Sequence, residues 1–401
     1  MRIAVVGGGV AAATAAEELR ARGHEGEIDI FGAEPHLPYN RPPLSKALLL
    51  GTEEDDSIFV HNAQWYADQS VSLHLGEAVT GLDLDRRQVL VGSAAHAYDR
   101  LLLATGSRPR RLDAADQSGR VAYLRTLEDS LALREAFGPG QHVVIVGAGW
   151  IGLEVAAAAR TAGSRVTVIE SLELPLLRVL GPEIATAFAA LHRAHGVDLR
   201  LHATIESFTQ ADAGQTVVRL ADGSQSTADL VIVGIGVVPN DALAVAAGLA
   251  VNNGVLVDEQ LRTSNPHVFA VGDIANQQHP ALGHRIRVEH WDTAIEQARV
   301  AAQNMLGGDE DYARLPYFFT DQYDLGMEYV GSLGPDGYND VVLRGDLAGQ
   351  FTAFWVRDGR VEAGMHVNDW DAIDPIRWLV GETVALDRLR DESVDLAALV
   401  P

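Results

Sequence analysis

Short apolar runs that end at glycine-rich turns recur along this chain. The first run is 3–6 (Ile-Ala-Val-Val), and a second run with the same character is 142–146 (His-Val-Val-Ile-Val). Each passes through a glycine turn into an alanine-rich helical pattern, over 13–22 in the first case and ending near 161 in the second. This alternation predicts buried parallel strands followed by helices, so the chain is expected to contain the same β-α-β unit twice.

Further buried strands are predicted to join these two units. They lie at 27–31, 100–104, 165–169, 230–233 and 268–271. Several of them end in glycine, and the carboxyl ends of parallel strands meet at one edge of a sheet. Glycine at that edge lets a ligand approach the backbone closely.

The pattern changes after residue 310. Aromatic residues become frequent, and alternating strand patterns are predicted at 341–344, 351–356 and 361–365, followed by helices at 373–380 and 386–400. This stretch is typical of a separate α+β domain. The fold class predicted for the whole chain is therefore α/β, with two Rossmann-like dinucleotide-binding domains and a C-terminal α+β domain.

Two glycine fingerprints predict two dinucleotide sites. Each follows a predicted strand and opens a helix, whose first N–H groups and positive dipole end can receive a pyrophosphate. The turns read Gly7-x-Gly9-x-x-Ala12 and Gly147-x-Gly149-x-x-Gly152.

An acidic residue follows each fingerprint and indicates which nucleotide binds there. Glu170 comes directly after the second strand of the second unit, where a carboxylate accepts hydrogen bonds from an adenosine ribose and repels a 2′-phosphate. No Lys or Arg follows it until Arg178. We therefore expect NADH to be preferred over NADPH by at least about tenfold. Glu34 is the matching acid of the first unit.

The composition excludes several classes of protein. The 401 residues carry a net charge of −24, which argues against nucleic-acid binding and against binding to an anionic membrane surface. No apolar run reaches the ~18 residues that span a bilayer. His192 and His195 lie three residues apart in a helical pattern but lack an evident third ligand, so no metal site is predicted.

The chain has no cysteine. Disulfides, thiolate catalysis, dithiol relays and protein-ligated iron–sulfur clusters are therefore excluded. The same count is consistent with a reducing compartment, and we expect a cytoplasmic protein. Cysteine residues of the chain therefore take no part in any redox chemistry.

Longer motifs resemble a known family. The paired fingerprints, 104–106 (Ala-Thr-Gly) and 271–273 (Val-Gly-Asp) resemble the glutathione-reductase-like FAD/NAD(P)H flavoproteins. Three further segments are similar to the oxygenase-coupled NADH-dependent ferredoxin reductases, the putidaredoxin reductase-like and biphenyl dioxygenase reductase-like group. They are 38–46 (Pro-Tyr-Asn-Arg-Pro-Pro-Leu-Ser-Lys), 288–291 (Val-Glu-His-Trp) and 316–324 (Pro-Tyr-Phe-Phe-Thr-Asp-Gln-Tyr-Asp).

This resemblance implies a domain plan and residue roles. FAD would bind to a domain made of 1–110 and 239–310, and NADH to 111–238, with 311–401 as the C-terminal domain. Lys46 would lie near the flavin N5 edge, paired with Glu154. The implied FAD-binding residues are Gly7, Gly9, Ala12, Glu34, Arg41, Lys46, Thr105, Gly106, Gly272, Asp273, Trp291 and Phe319, with Tyr317 as an alternative to Phe319. The implied NADH-binding residues are Gly147, Gly149, Gly152, Glu154 and Glu170.

The function implied by the resemblance is an NADH:ferredoxin oxidoreductase that supplies a cytochrome P450 or a Rieske oxygenase. Ferredoxins of this family are usually acidic, so local arginines are needed for docking. The candidates are Arg285, Arg287 and Arg299, and a second cluster of Arg108, Arg110 and Arg111. Two alternatives stay open: a reductase of another acceptor such as rubredoxin or quinone, and an NADH-responsive sensor of the apoptosis-inducing-factor type.

Overall fold

The computed structural model describes residues 1–211 and 214–400. These residues form two compact units. The first unit comprises 1–41, 56–108 and 238–317, and the described residues of the second unit are 42–55, 109–211, 214–237 and 318–400. The four-segment domain plan drawn from the sequence divides the chain differently: it includes 42–55 in the FAD domain, whereas 42–55 lies in the second unit here, and it separates 111–238 from 311–401. That plan stays a prediction.

The strands of the described residues are, in chain order, β1 (Ile3–Val6), β2 (Ile28–Gly32), β3 (Val71–Leu75), β4 (Gly81–Asp83), β5 (Gln88–Val91), β6 (Ala94–Ala97), β7 (Arg100–Leu103), β8 (Ser107–Pro109), β9 (Val121–Ala122), β10 (His142–Val146), β11 (Arg165–Ile169), β12 (Asp198–Arg200), β13 (Ile205–Gln210), β14 (Thr216–Leu220), β15 (Gln225–Ala228), β16 (Leu230–Val233), β17 (Val237–Pro239), β18 (Val255–Val257), β19 (Val268–Ala270), β20 (Ala275–Gln278), β21 (Arg285–Ile286), β22 (Tyr317–Gln322), β23 (Leu325–Gly331), β24 (Asp340–Gly345), β25 (Phe351–Arg357) and β26 (Arg360–Val367).

The α-helices are α1 (Val10–Ala21), α2 (Ala47–Leu50), α3 (Ala63–Asp68), α4 (Asp113–Asp116), α5 (Leu127–Ala136), α6 (Trp150–Thr161), α7 (Leu177–Ala194), α8 (Ala242–Ala246), α9 (Trp291–Met305), α10 (Ile373–Leu379) and α11 (Leu386–Arg390). Short 3₁₀ helices lie at Pro42–Ser45, Gly272–Ile274 and Leu396–Leu399.

The first unit is built on a parallel sheet with the strand order β19-β7-β1-β2-β3. All four residues of β1 are buried, as expected for a parallel strand that is covered on both faces. Helices α1 and α9 pack together through faces rich in alanine, which allow two backbones to approach closely. Two small three-stranded sheets, β4-β5-β6 and β18-β20-β21, complete the unit.

The second unit contains an equivalent parallel sheet with the order β12-β11-β10-β16-β9. It also contains a sheet with the order β22-β23-β26-β25-β24, in which β23, β26, β25 and β24 pair antiparallel. Trp355 of β25 is fully buried, and its indole N–H donates to the carbonyl oxygen of Leu180 at 3.1 Å. Helix α7 is thereby tied to the C-terminal sheet.

The predicted fold class is confirmed: two Rossmann-like parallel sheets and a C-terminal domain with an antiparallel sheet are present. Two helix predictions were wrong in extent. Helix α1 begins at Val10 rather than at residue 13, because it starts directly after the glycine turn. The helix predicted over 386–400 ends at Arg390, because the carboxylate of Asp391 accepts hydrogen bonds from the backbone N–H and the hydroxyl of Ser393. In the described part of the chain, no helix has both the length and the apolar character needed to cross a membrane.

Candidate functional site

The first glycine of each fingerprint lies against the end of a neighbouring strand. Gly7 has φ +127°, and a Cβ there would lie 2.1 Å from the carbonyl oxygen of Ala104. Gly147 has φ +101°, and its Cβ would lie 2.4 Å from the carbonyl oxygen of Gly234. A side chain at either position would collide with backbone, so both turns require glycine. In both β-α-β units, the first glycine therefore makes the same close contact with backbone at the end of a neighbouring strand.

The second glycine of each fingerprint faces open space. A Cβ built at Gly9 or at Gly149 would meet no protein atom within 4 Å. Helices α1 and α6 begin at the next residue, and no side chain of the described residues caps either of these two N-termini. An anionic group placed there would meet backbone N–H groups and the positive end of the helix dipole. Both turns fit a pyrophosphate.

The third fingerprint position differs between the two turns. At Gly152, a Cβ would lie 2.2 Å from the carbonyl oxygen of Gly147, so α6 requires glycine there. Ala12 occupies the matching position of α1 and is fully buried. The first turn therefore accommodates one methyl group between helix and strand. Alanine at the third position of the fingerprint is compatible with this turn.

Glu170 is held in place by three hydrogen bonds. One carboxylate oxygen accepts from the backbone N–H of Ala148 at 2.8 Å. The other accepts from the N–H of Leu172 at 2.9 Å and from the hydroxyl of Ser171 at 3.0 Å. The residue directly follows β11 and remains partly exposed. Its negative charge is thus fixed beside the glycine turn of the second unit, where the sequence predicts the adenosine ribose of NADH.

Glu34 of the first unit is part of an ion pair that the sequence did not predict. Its carboxylate accepts from the Arg41 guanidinium at 2.6 Å and from the hydroxyl of Tyr39. Arg41 also donates to the Tyr39 hydroxyl at 3.0 Å. The predicted roles of Glu34 and Arg41 towards FAD stay predictions, but the structure brings the two side chains together in the first unit.

A second group of predicted residues surrounds the loop after β7. The Thr105 hydroxyl donates to the carbonyl oxygen of Asn240 at 2.9 Å, and Gly106 accepts from the N–H of Asn240 at the same distance. Asp273 follows Gly272 in a 3₁₀ turn, and its carboxylate accepts from the hydroxyl of Ser107 at 2.6 Å. The polar edge of the first parallel sheet is therefore held together by short, direct hydrogen bonds.

Trp291 lies at the first position of helix α9. Its indole N–H donates to the side-chain oxygen of Asn40 at 2.7 Å, which fixes the plane of the ring. His290 caps the helix by accepting from the N–H of Asp292. Sequence reasoning did not identify Asn40 as a partner, although it lies in the motif 38–46 that carries the resemblance.

Lys46 and Glu154 form the predicted ion pair, and both belong to the second unit. The Lys46 ammonium lies 2.8 Å from a carboxylate oxygen of Glu154. The side chain of Glu154 is only 2% exposed and that of Lys46 only 14%. Lys46 also lies 5.2 Å from the ring centre of Phe319, within cation–π distance. A carboxylate this deeply buried requires compensating donors.

Two further donors complete that environment. The hydroxyl of Ser45 and the hydroxyl of Thr320 each donate to the Glu154 carboxylate at 2.5 Å. Neither was singled out from the sequence. Both lie inside quoted motif segments, so motif membership was the available signal. Phe318 takes a different role from its neighbour Phe319, because it stacks on Tyr329 in the core.

The comparisons with known proteins cover nearly the whole chain. The pyridine nucleotide-disulphide oxidoreductase family matches residues 1–301, and the reductase C-terminal family matches 317–400. The ferredoxin–NAD(+) reductase component of the anthranilate 1,2-dioxygenase system of Burkholderia cepacia is 42% identical over 399 residues, 98% of this chain and 97% of the relative. Putidaredoxin reductase of Pseudomonas putida is 37% identical over 413 residues, 99% of this chain and 96% of the relative.

A solved structure is similar over the full length. The crystal structure of the covalent putidaredoxin reductase–putidaredoxin complex matches with a TM-score of 0.95 and 37% identity, covering 100% of this chain and 98% of that chain. The structure of this chain has that fold, and each glycine fingerprint, 7–12 and 147–152, forms an open turn at the start of a helix, here called a glycine cradle.

The chain belongs to the pyridine nucleotide-disulphide oxidoreductase family, with the reductase C-terminal domain appended. The family resemblance and the prediction of an enzyme are thereby confirmed, and FAD and NADH are the cofactors of this group. The roles of individual residues towards those cofactors stay predictions.

Gly149→Ala tests the second cradle. Gly149 has φ −79° and open space beyond its Cα, so alanine fits the protein itself. The added methyl group occupies the space left for the pyrophosphate, and we expect NADH to bind about tenfold more weakly, a loss of ~1.4 kcal/mol. The measurements are the NADH concentration at half-saturation of flavin reduction, taken as the apparent affinity, and a thermal melt. Undiminished NADH affinity, with the melting temperature unchanged, would show that this turn does not hold the pyrophosphate.

Proposed function

We propose that this protein is an FAD-dependent NADH:ferredoxin oxidoreductase that supplies electrons to an oxygenase of the cytochrome P450 or Rieske type. The observation that carries the proposal is the pair of matching glycine cradles in a chain that contains no cysteine. The relatives named above support it, because one is named a ferredoxin–NAD(+) reductase component of a dioxygenase system, and the solved structure is a complex of putidaredoxin reductase with putidaredoxin.

The second unit supplies the NADH site in this proposal. The open space at Gly149 and the N-terminus of α6 receive the pyrophosphate, and Glu170 binds the adenosine ribose. Because three hydrogen bonds hold the carboxylate of Glu170, its charge stays at the position where a 2′-phosphate would be placed. The repulsion selects NADH over NADPH.

The first unit supplies the FAD site. Gly7, Gly9 and Ala12 form the turn for the pyrophosphate, while Glu34 and Asp273 are the proposed carboxylate contacts. When bound, FAD supplies a centre that accepts a hydride and releases electrons singly. The side chains around the loop after β7 hold Asp273 in position through Ser107.

Lys46 and Glu154 are the proposed catalytic residues, on the strength of the resemblance. An ammonium group tunes a flavin through its positive charge, and a buried carboxylate partner orients that ammonium. No side chain in this proposal acts as a nucleophile. The residues position the nicotinamide and exclude water, and positioning alone supplies much of the rate.

The electron acceptor must come from outside the chain. Without cysteine, the protein has no dithiol to accept the electrons and no thiolates to ligate a cluster of its own. A separate one-electron carrier of the ferredoxin type satisfies this requirement. The proposal includes a cytoplasmic location, which rests on the absence of cysteine.

The candidate docking arginines have internal partners. Arg287 lies 2.6 Å from Glu289, and Arg285 donates to the carbonyl oxygens of Val257 and Asn276. Arg299 pairs with Glu296 one turn away on α9, and its side chain is still half exposed. Of these three arginines, Arg299 is therefore the one best placed to receive an acidic partner.

The function is tested with purified, FAD-loaded protein, NADH and a panel of acceptors. The panel contains [2Fe-2S] ferredoxins, rubredoxin, a soluble quinone and ferricyanide, with cytochrome c as the terminal acceptor for the ferredoxins. We expect rapid, NADH-dependent reduction of at least one ferredoxin. Rubredoxin or quinone as the preferred acceptor would contradict the proposal, and so would a slow reaction that leaves a long-lived complex and drives dimerisation.

Glu170→Gln tests the basis of nucleotide selection. The substitution removes the charge and keeps one acceptor oxygen, which can still accept from Leu172 or from Ala148 but not from both. We expect the ratio of kcat/KM for NADH over NADPH to fall about tenfold, mainly because NADPH improves. The matched control is Glu173→Gln, which removes an equal charge from an exposed position three residues away. An equal change in both variants would assign the effect to net charge alone.

Arg299→Glu tests docking. Reversing an exposed charge changes the association rate of charged partners more than it changes the chemistry. We expect about a tenfold lower kcat/KM for ferredoxin and an unchanged rate of ferricyanide reduction. Arg86→Glu is the control, because Arg86 is also exposed and paired with a carboxylate three residues away. Ferredoxin kinetics equal to those of the control would remove Arg299 from the docking surface.

A further inference from the structure

A chain of buried polar side chains runs from helix α7 to the Glu154 carboxylate within the second unit. The His192 ring lies 2.8 Å from the side-chain oxygen of Gln322. The Gln322 amide donates to the Thr320 hydroxyl at 3.1 Å, and Thr320 donates to Glu154 at 2.5 Å. His192, Gln322 and Thr320 are at most 1% exposed.

In this series of hydrogen bonds, each side chain donates to the next in the direction from His192 to Glu154. Thr320 gives its only hydroxyl proton to Glu154, so it must accept from the amide nitrogen of Gln322. The amide oxygen of Gln322 then faces His192, and the ring must donate from Nε2. The other ring nitrogen, Nδ1, has no hydrogen-bond partner in the described part of the chain. Burial lowers the pKa of His192 to about 4, which is consistent with a neutral ring at neutral pH.

Thr320 and Lys46 share one oxygen of the carboxylate. Lys46 Nζ and Thr320 Oγ1 both bind Oε1 of Glu154, whereas Ser45 binds Oε2. Two donors on one oxygen divide its negative charge between them. The ammonium of Lys46 is therefore less fully neutralised by Glu154 than it would be in an isolated pair.

We propose that Thr320, held by Gln322 and His192, is a positioning residue that fixes the Glu154 carboxylate and sets how much positive charge Lys46 presents. The residues lie far apart in sequence, with Thr320 166 positions from Glu154 and Gln322 130 positions from His192. Hydrogen bonds thus connect the Glu154 carboxylate on α6 to side chains of β22 and, through them, to α7. The site of Glu154 is thus set by tertiary contacts and not by its own helix.

The consequence for the flavin rests on the proposed function. Without the Thr320 hydroxyl, the carboxylate binds the ammonium more completely, and less positive charge remains to stabilise added electrons. The flavin midpoint potential then moves to more negative values, and reduction by NADH slows. The hydrogen-bond chain itself does not depend on that function.

The test compares Thr320→Val with Thr320→Ser in the FAD-loaded protein. Valine keeps the shape and removes the donor, whereas serine restores it. We expect Thr320→Val to move the midpoint potential to more negative values and to lower the rate constant of flavin reduction about tenfold, with the NADH concentration at half-saturation unchanged. Thr320→Ser should stay within about twofold of the unsubstituted protein.

Thr352→Val is the matched control, because Thr352 is 4% exposed and lies in the C-terminal sheet outside the chain of hydrogen bonds. It should leave the potential unchanged. An unchanged potential in Thr320→Val, or an equal shift in Thr352→Val, overturns the positioning role. A serine variant that behaves like the valine variant overturns it as well.

Nitrogen-15 NMR of histidine-labelled protein tests the hydrogen-bond network from His192 to Glu154 independently of electron transfer. The ring signals of His192 are assigned from the spectrum of His192→Gln. We expect a neutral ring at pH 7 with its proton on Nε2, and we expect the Nε2 signal to move in Gln322→Leu. A proton on Nδ1, or a charged ring, contradicts the direction of donation. If His192 is neutral with its proton on Nε2 while no acceptor in the panel is reduced, the proposed function is wrong and the hydrogen-bond network is still supported.

Discussion

Gly7 and Gly147 each lie so close to the end of a neighbouring strand that no side chain fits, and this contact determines the geometry of both glycine turns. A Cβ at either position would lie within 2.4 Å of a backbone oxygen. Because the turn passes so close to the sheet, the following helix starts immediately and directs its first N–H groups to the edge. The open space at the second glycine follows from the same geometry, and so does the space for an anion.

Electrostatics determines the arrangement of side chains around Glu154. Glu154 is almost fully buried, and a buried carboxylate is costly unless donors surround it. Ser45, Lys46 and Thr320 meet that need, and Gln322 and His192 extend the arrangement into the core. The chain thereby places one cationic side chain at a defined position, which a flexible surface lysine could not achieve.

Local patterns in the sequence predicted the strands and glycine turns well, because periodicity and glycine spacing act within a few residues. The strands at 142–146, 165–169 and 230–233 agree with the structure at both ends. The Lys46–Glu154 pair was reached only through the resemblance. Its supporting hydrogen bonds join residues more than 100 positions apart, and no local pattern reports such contacts. The last helix was predicted too long because Asp391 competes for the backbone in a way that apolar periodicity ignores.

In the proposed function, a bound flavin is the only redox centre of the protein, and it is reduced by NADH held at the second glycine cradle. The most direct measurement is the visible spectrum of the FAD-loaded protein during anaerobic addition of NADH. We expect a yellow protein whose flavin absorbance is bleached completely by one equivalent of NADH per flavin. A requirement for a second equivalent would reveal another electron acceptor within the chain, and a protein that binds no flavin would show that the proposed function is wrong.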